Sequence, residues 1–180
     1  MRKIALLTLS LLLFAAAAAA QVPAGNVFFG YSYYHTGLSP IDKANTNGWQ
    51  ASVEGKVLPW VGIVFDVGSH YGSQNFLAEC PQTICAVNAD VTEHNYLFGP
   101  RVSVSAGKFR PFAEGMIGIG HVNVKGLTSD TSFASALGGG IDYKLIPAIA
   151  LRLQGDYVQT RFFSTTQNNL QLATGIVIHF

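Results

Sequence analysis

Charge is what this sequence has least of. Only 12% of its 180 residues are Asp, Glu, Lys or Arg, about half the ~25% usual in a soluble domain. The 11 basic and 10 acidic side chains leave a formal net charge of +1, which offers nucleic acid no electrostatic footprint. Cysteine is nearly missing, with two residues, and no His-x-x-x-His spacing accompanies them, so a structural zinc site of four Cys or His ligands is not expected. Beyond residue 25 no stretch carries apolar residues at helical spacing, which excludes an amphipathic bundle. The length leaves room for one core. What is abundant is glycine, at 19 residues, and aromatics, at 12%.

The one long apolar run opens the chain. Arg2 and Lys3 precede Ile4 to Phe14, and Ala15 to Ala20 supply small residues, the order of a secretory leader cleaved between Ala20 and Gln21. Ile4 to Ala20 is close to the lower length limit of a membrane helix, but its alanine-rich, weakly apolar character favours the leader. The expected organisation is therefore a signal peptide over 1–20 and one domain over 21–180. No Cys stands at the cleavage point to carry a lipid. Export places Cys80 and Cys85, in "AECPQTICAVNAD", in an oxidising compartment, where so close a pair predicts a disulfide. Closing that loop contributes about 2 kcal/mol in the chain-entropy account.

After residue 25 the period is two, and the spacing predicts eight strands near 25–36, 48–58, 61–72, 91–105, 109–123, 132–145, 148–163 and 168–180. Tight turns at Pro59-Trp60, Gly107-Lys108 and Ile146-Pro147 fall at one end. The longer connections 37–47, 73–90 and 124–131, with a short one at 164–167, fall at the other. Each strand has an apolar and a polar face. Trp49, Ala51, Val53 and Val57 oppose Gln50, Ser52, Glu54 and Lys56. Tyr96, Phe98, Val102 and Val104 oppose Asn95, Arg101, Ser103 and Ser105. Leu137, Ile141, Tyr143 and Leu145 oppose Gly138, Gly140, Asp142 and Lys144. Ile149, Leu151, Leu153 and Tyr157 oppose Arg152, Gln154 and Asp156.

A soluble barrel, such as a lipocalin-like binder of apolar ligands, would turn the apolar face inward. Here the polar face carries the closely spaced glycines, which suit a crowded interior and would only weaken a solvated strand. Long strands with bulky outward residues fit the reverse arrangement: an eight-stranded antiparallel, up-and-down transmembrane β-barrel, lipid outside and a polar, side-chain-filled lumen within. Closure removes edges that lipid could not satisfy.

Charges in so narrow a lumen need partners. A two-residue turn at Gly107-Lys108 sets Arg101 opposite Glu114 and, on the other face, Phe98 opposite Ile117 and Tyr96 opposite Ile119. Centring the next turn on Pro147 sets Asp142 opposite Arg152 and Gly138 opposite Asp156. The expected lumen network comprises Glu54, Lys56, Asp66, Arg101, Glu114, Asp142, Lys144, Arg152 and Asp156, four bases against five acids, a plug more than a pore. Trp60, Phe109, Tyr143 and Phe180 at the tight-turn end, and Tyr33, Tyr71, Tyr96 and Phe162 toward the loop end, form two expected interfacial girdles.

Catalytic signals are weak. His35, His70, His94 and His121 lie near the loop end, but face assignment sends His70 inward and the others outward, so no metal site is expected. A lipid-modifying enzyme needs a His with a Ser and an acid, and the nearest acid, Glu93, is adjacent to His94 on the opposite face. "GIGHVNVKG" and "GGGID" lack the strand, turn and helix order of a nucleotide site. No cofactor is implied.

The stretch "ALGGGIDYKLIPAIALRLQGDYVQT", residues 136–160, with a last strand ending on Phe180, resembles the penultimate hairpin and closing strand of the bacterial outer-membrane β-barrel domain family, the small eight-stranded kind related to outer membrane proteins A and X. That resemblance implies outer-membrane lipid as the surroundings and handling by periplasmic chaperones and the barrel assembly machinery, with Phe180 as the mark that machinery reads. It also implies periplasmic termini and outward-facing longer loops. No peptidoglycan-binding domain is expected. The expected role is non-enzymatic, structural or in surface contact through the loops.

Overall fold

The period-two alternation produces eight antiparallel strands, each paired with its sequence neighbours and the first with the last, closing a barrel in the order β1 to β8. The computed structural model describes residues 24–36, 44–80, 83–126, 128–162 and 165–180, with side chains throughout except at 36, 44, 74–80 and 83–87. The strands are β1 (Gly25–Thr36), β2 (Ala44–Leu58), β3 (Val61–Cys80), β4 (Thr83–Ser103), β5 (Phe109–Val124), β6 (Thr128–Ile146), β7 (Ile149–Thr160) and β8 (Gln167–His179). The expected leader over 1–20, and the connection 37–43, lie outside the described residues.

The register is the one that the tight turns dictate. Gly107 adopts φ +63°, as the first position of this hairpin turn requires, and Ala106 pairs with Phe109. Arg101 then faces Glu114, Phe98 faces Ile117 and Tyr96 faces Ile119. Asp142 faces Arg152 and Gly138 faces Asp156. Closure pairs Asn26 with His179, and Gly25 and Phe180 exchange two backbone hydrogen bonds at 2.9 and 3.1 Å, so the seam is hydrogen-bonded to its last residue.

Bulky apolar side chains face outward: Phe29, Val53, Phe65, Phe98, Ile117, Leu137, Leu153 and Ile176 are all exposed. Their polar neighbours are buried inside. An apolar-lumen binder is thereby excluded, because the interior of this barrel is polar. Interior glycines make space for it. A Cβ on Gly62 would lie 2.5 Å from Glu54 Oε1, one on Gly138 would lie 2.0 Å from Asp156 Oδ1, and one on Gly140 would lie 2.8 Å from the Phe112 ring.

Three expectations are corrected. The 73–90 connection is no loop: β3 and β4 stay paired from Ser73↔Asp90 to Cys80↔Thr83, well past Tyr71, the last β3 residue paired with β2. At ~3.3 Å per residue this hairpin runs roughly 25 Å further. Beyond the apolar belt no lipid demands alternation, so the period fades while the backbone ladder persists. Phe162 belongs to no girdle. It follows the end of β7, is fully buried, and packs with Ala89, Val91, Val122 and Val124 into an apolar cap on the loop end of the lumen. Lys144 is exposed although Ala150, its register partner, is buried: no carboxylate among the described residues holds its ammonium inside as Glu54 holds that of Lys56, so its long side chain reaches out of the mouth to water. The other tight-turn aromatics, Trp60, Phe109, Tyr143 and Phe180, and at the loop end Tyr71 and Tyr96, are exposed on the outer face.

Candidate functional site: a filled lumen between two unlike ends

Strand parity puts the charged heads in the lumen, and register puts them in reach of one another. Arg101, fully buried, donates from Nε to Glu114 Oε2 at 2.6 Å and from Nη1 to Glu54 Oε2 at 3.2 Å. Lys56 Nζ lies 2.5 Å from Glu54 Oε1. Asn26 donates to Glu54 Oε2 at 2.8 Å. Arg152 grips Asp142 with two bonds, Nε to Oδ1 at 2.7 Å and Nη2 to Oδ2 at 2.9 Å. Both guanidiniums also lie over the Phe112 ring, at 4.5 and 4.6 Å from its centroid. Inward Phe112 thus joins the two ion-pair groups into one layer spanning the lumen.

Above this layer the carboxylates change partners. Gln50 Nε2 donates to Asp66 at 2.8 Å. Gln154 Nε2 donates to Glu114 at 2.8 Å and to Asp156 at 2.7 Å. Asp66 and Asp156 form none of the ion pairs found among the described residues. Higher still, His70 stacks on Tyr34 with centroids 4.6 Å apart and shares Ser32 Oγ with Gln171.

Glu54, Lys56, Asp66, Arg101, Glu114, Asp142, Arg152 and Asp156 therefore line one interior, and Lys144 does not join them. The buried set also includes Glu93, which shares the parity of Asn95 and could have been read from it. Arg110 and Phe112 were likewise within reach of that rule. With Glu93 in and Lys144 out, the buried acids outnumber the buried bases among the described residues.

The polar groups on the outer face form a separate row near the loop end. Ser69 Oγ is 2.7 Å from His94 Nδ1, and His121 Nδ1 is 2.7 Å from Thr131 Oγ1. No group of three or more metal-ligating side chains occurs among the described residues. Cys80 and Cys85 lie at the tip of the β3–β4 hairpin, where the backbone pairs Cys80 with Thr83 and Ala78 with Cys85; their side chains lie outside the described ones.

Residues 5–180 match the family described as outer membrane protein beta-barrel domain. The chain belongs to that family. An outer membrane protein beta-barrel domain with bulky apolar residues outward and a polar lumen resides in the bacterial outer membrane. Neisserial surface protein A has a similar fold, with a TM-score of 0.68 at 13% identity over 87% of this chain and 99% of that one. Ail, the attachment invasion locus protein of Yersinia pestis, has a TM-score of 0.56 at 14% identity over 86% and 98%. The N-terminal beta-barrel domain of Pseudomonas aeruginosa OprF reaches 0.51 at 13% identity over 87% and 96%. No curated protein matches the sequence.

Proposed function

We propose that this outer-membrane barrel is non-enzymatic and acts by surface contact, through the elements at its loop end, with the barrel itself as a closed anchor. The observation that carries the reading is the contrast between the two halves of the molecule. The lumen is filled from the Arg101–Phe112–Arg152 layer to the cap around Phe162, while β3 and β4 continue past the barrel wall as a paired ribbon. A projecting, paired ribbon is costly to order unless it meets something. The similarity in fold to an attachment invasion locus protein, which has also been crystallised with the heparin analogue sucrose octasulfate, supports the class of role.

In this reading residues 1–20 are removed on export and both termini face the periplasm. Chaperones deliver the chain to the barrel assembly machinery, which reads Phe180, and Cys80 and Cys85 close the hairpin tip by a disulfide. The interior ion pairs and amide-bound carboxylates act as a plug rather than a channel lining. Shortening the hairpin by removing residues 74–87 tests the reading. The expected outcome is a barrel that still inserts and shows heat-modifiable migration on a denaturing gel, while cells displaying it lose adherence to host surfaces. Unchanged adherence, or steady nanosiemens-scale openings of the intact protein in a planar bilayer, would refute it.

A further inference from the structure

The tight-turn mouth of the lumen holds a cavity of about 170 Å³ built by four consecutive strands and their turns. Lys108 comes from the turn before β5, Arg110 from the start of β5, Asp142 and Lys144 from β6, Ala150 from β7 and His179 from β8. Register brings them together: Arg110 faces Asp142, Lys144 faces Ala150, and the Lys144 backbone N–H donates to the Lys108 carbonyl at 2.8 Å. Three cations therefore share one recess in a chain whose net charge is only +1.

The one acid in that wall is already engaged. Asp142 is held bidentately by Arg152 from within the barrel, which leaves it little capacity to neutralise the mouth. Among the described residues no carboxylate pairs with Lys108, Arg110 or Lys144. Arg110 spends Nε and Nη2 on the Ser103 hydroxyl, at 3.2 and 3.1 Å, which fixes its guanidinium plane and leaves Nη1 without a hydrogen-bond partner among the described residues. Lys56 donates to the same hydroxyl at 2.7 Å and lines an adjoining recess with Arg110 and Ser105. Like charges so close repel one another, and a bound anion would relieve them. A guanidinium fixed in orientation, flanked by two exposed ammonium groups, matches the tetrahedral, multiply charged oxygens of a phosphate.

We infer that this mouth is a binding site for a small soluble oxyanion of the phosphate or pyrophosphate type. The cavity has room for about five or six waters at ~30 Å³ each, enough for such a group and too little for folded polypeptide. Arg110, Asp142, Ala150 and His179 share the parity of the buried residues of their strands, which turns the recess toward the lumen mouth and favours a solute over a phospholipid headgroup. Only the compartment supplying the ligand depends on the orientation proposed above; binding itself does not.

The test uses the full barrel refolded into phosphatidylcholine nanodiscs, titrated with inorganic pyrophosphate by calorimetry at constant ionic strength. Saturable one-site binding is expected, weakened roughly tenfold by Lys108→Gln and by Lys144→Gln, each of which removes a charge-assisted hydrogen bond. Both lysines are exposed, so the variants should fold. Lys125→Gln, at the opposite end, should leave binding unchanged. Absence of saturable binding, or equal weakening by all three substitutions, would overturn the site. Loss of pyrophosphate binding when the nanodiscs contain phosphatidylglycerol would overturn the soluble source. None of these readouts involves adherence, so failure here and failure of the surface-contact reading are distinguishable.

Discussion

Replacing Arg101 with Met probes the lumen most directly. Arg101 is the only described cation within salt-bridge distance of Glu114. Glu54, its second partner, keeps Lys56 at 2.5 Å and Asn26 at 2.8 Å. The loss therefore falls mainly on Glu114, which retains the single amide of Gln154 in a site closed to solvent. Removing one member of such a buried pair costs about 3 to 5 kcal/mol, mostly from the stranded charge. Adding Glu114→Gln removes that charge while keeping an acceptor for Gln154, so the double variant should recover roughly 2 kcal/mol, within the usual range of coupling between contacting residues. Reversible urea unfolding in lipid vesicles measures all three proteins, with midpoint and slope fitted separately. An Arg101→Met protein within about 1 kcal/mol of the parent, or a double variant no more stable than the single one, would refute the assignment of Arg101 as the hub of the lumen.

Gly138→Ala should destabilise by about 1 to 3 kcal/mol, since the added methyl meets Asp156 Oδ1 at 2.0 Å and the Gly155 carbonyl at 2.4 Å, an overpacking cost readable in the same unfolding assay. Phe162→Ala should cost about 3 to 5 kcal/mol and speed amide exchange in the loop-end halves of β4 and β5, where Val91, Val122 and Val124 lose their cover. Deleting Phe180 should lower the amount of inserted protein in cells by more than it lowers the unfolding midpoint of refolded protein; normal surface levels would contradict its role as an assembly mark. Thiol labelling without reductant should leave Cys80 and Cys85 unmodified if they are bridged.

The barrel was legible because lipid and a narrow lumen impose opposite demands on alternate residues. Trp49, Val53 and Phe98 could face only outward, and Glu54, Arg101 and Arg152 only inward. Tight turns then fixed the pairing of Arg101 with Glu114 and of Asp142 with Arg152 without reference to coordinates. Legibility failed where one of those demands lapsed. Along 73–90 there is no lipid to enforce alternation, so a ladder of backbone hydrogen bonds left no pattern in the side chains. Lys144 obeyed strand parity, but parity does not supply a partner: Lys56 has Glu54 to hold it inside, whereas no carboxylate among the described residues holds Lys144. Phe162 continues the even-number parity of buried Arg152, Asp156 and Thr160, so the alternation over 148–163 already turned it inward; its aromatic type suggested a girdle, and apolar burial decided against it. The basic mouth was hidden for another reason: Lys108, Arg110 and Lys144 are distant in sequence from His179 and become neighbours only when the cylinder closes.

The seam has a consequence for how such a chain must be made. Asn26 pairs with His179, so the first strand waits for the last, and until then every partial sheet presents two open edges. Contacts of such long sequence separation form slowly, and unpaired edges invite other chains. Folding strand by strand behind a ribosome or a translocation pore would therefore leave a sticky, unfinished ribbon at every stage. The topology favours a chain kept unpaired in transit and released all at once, where both edges can meet.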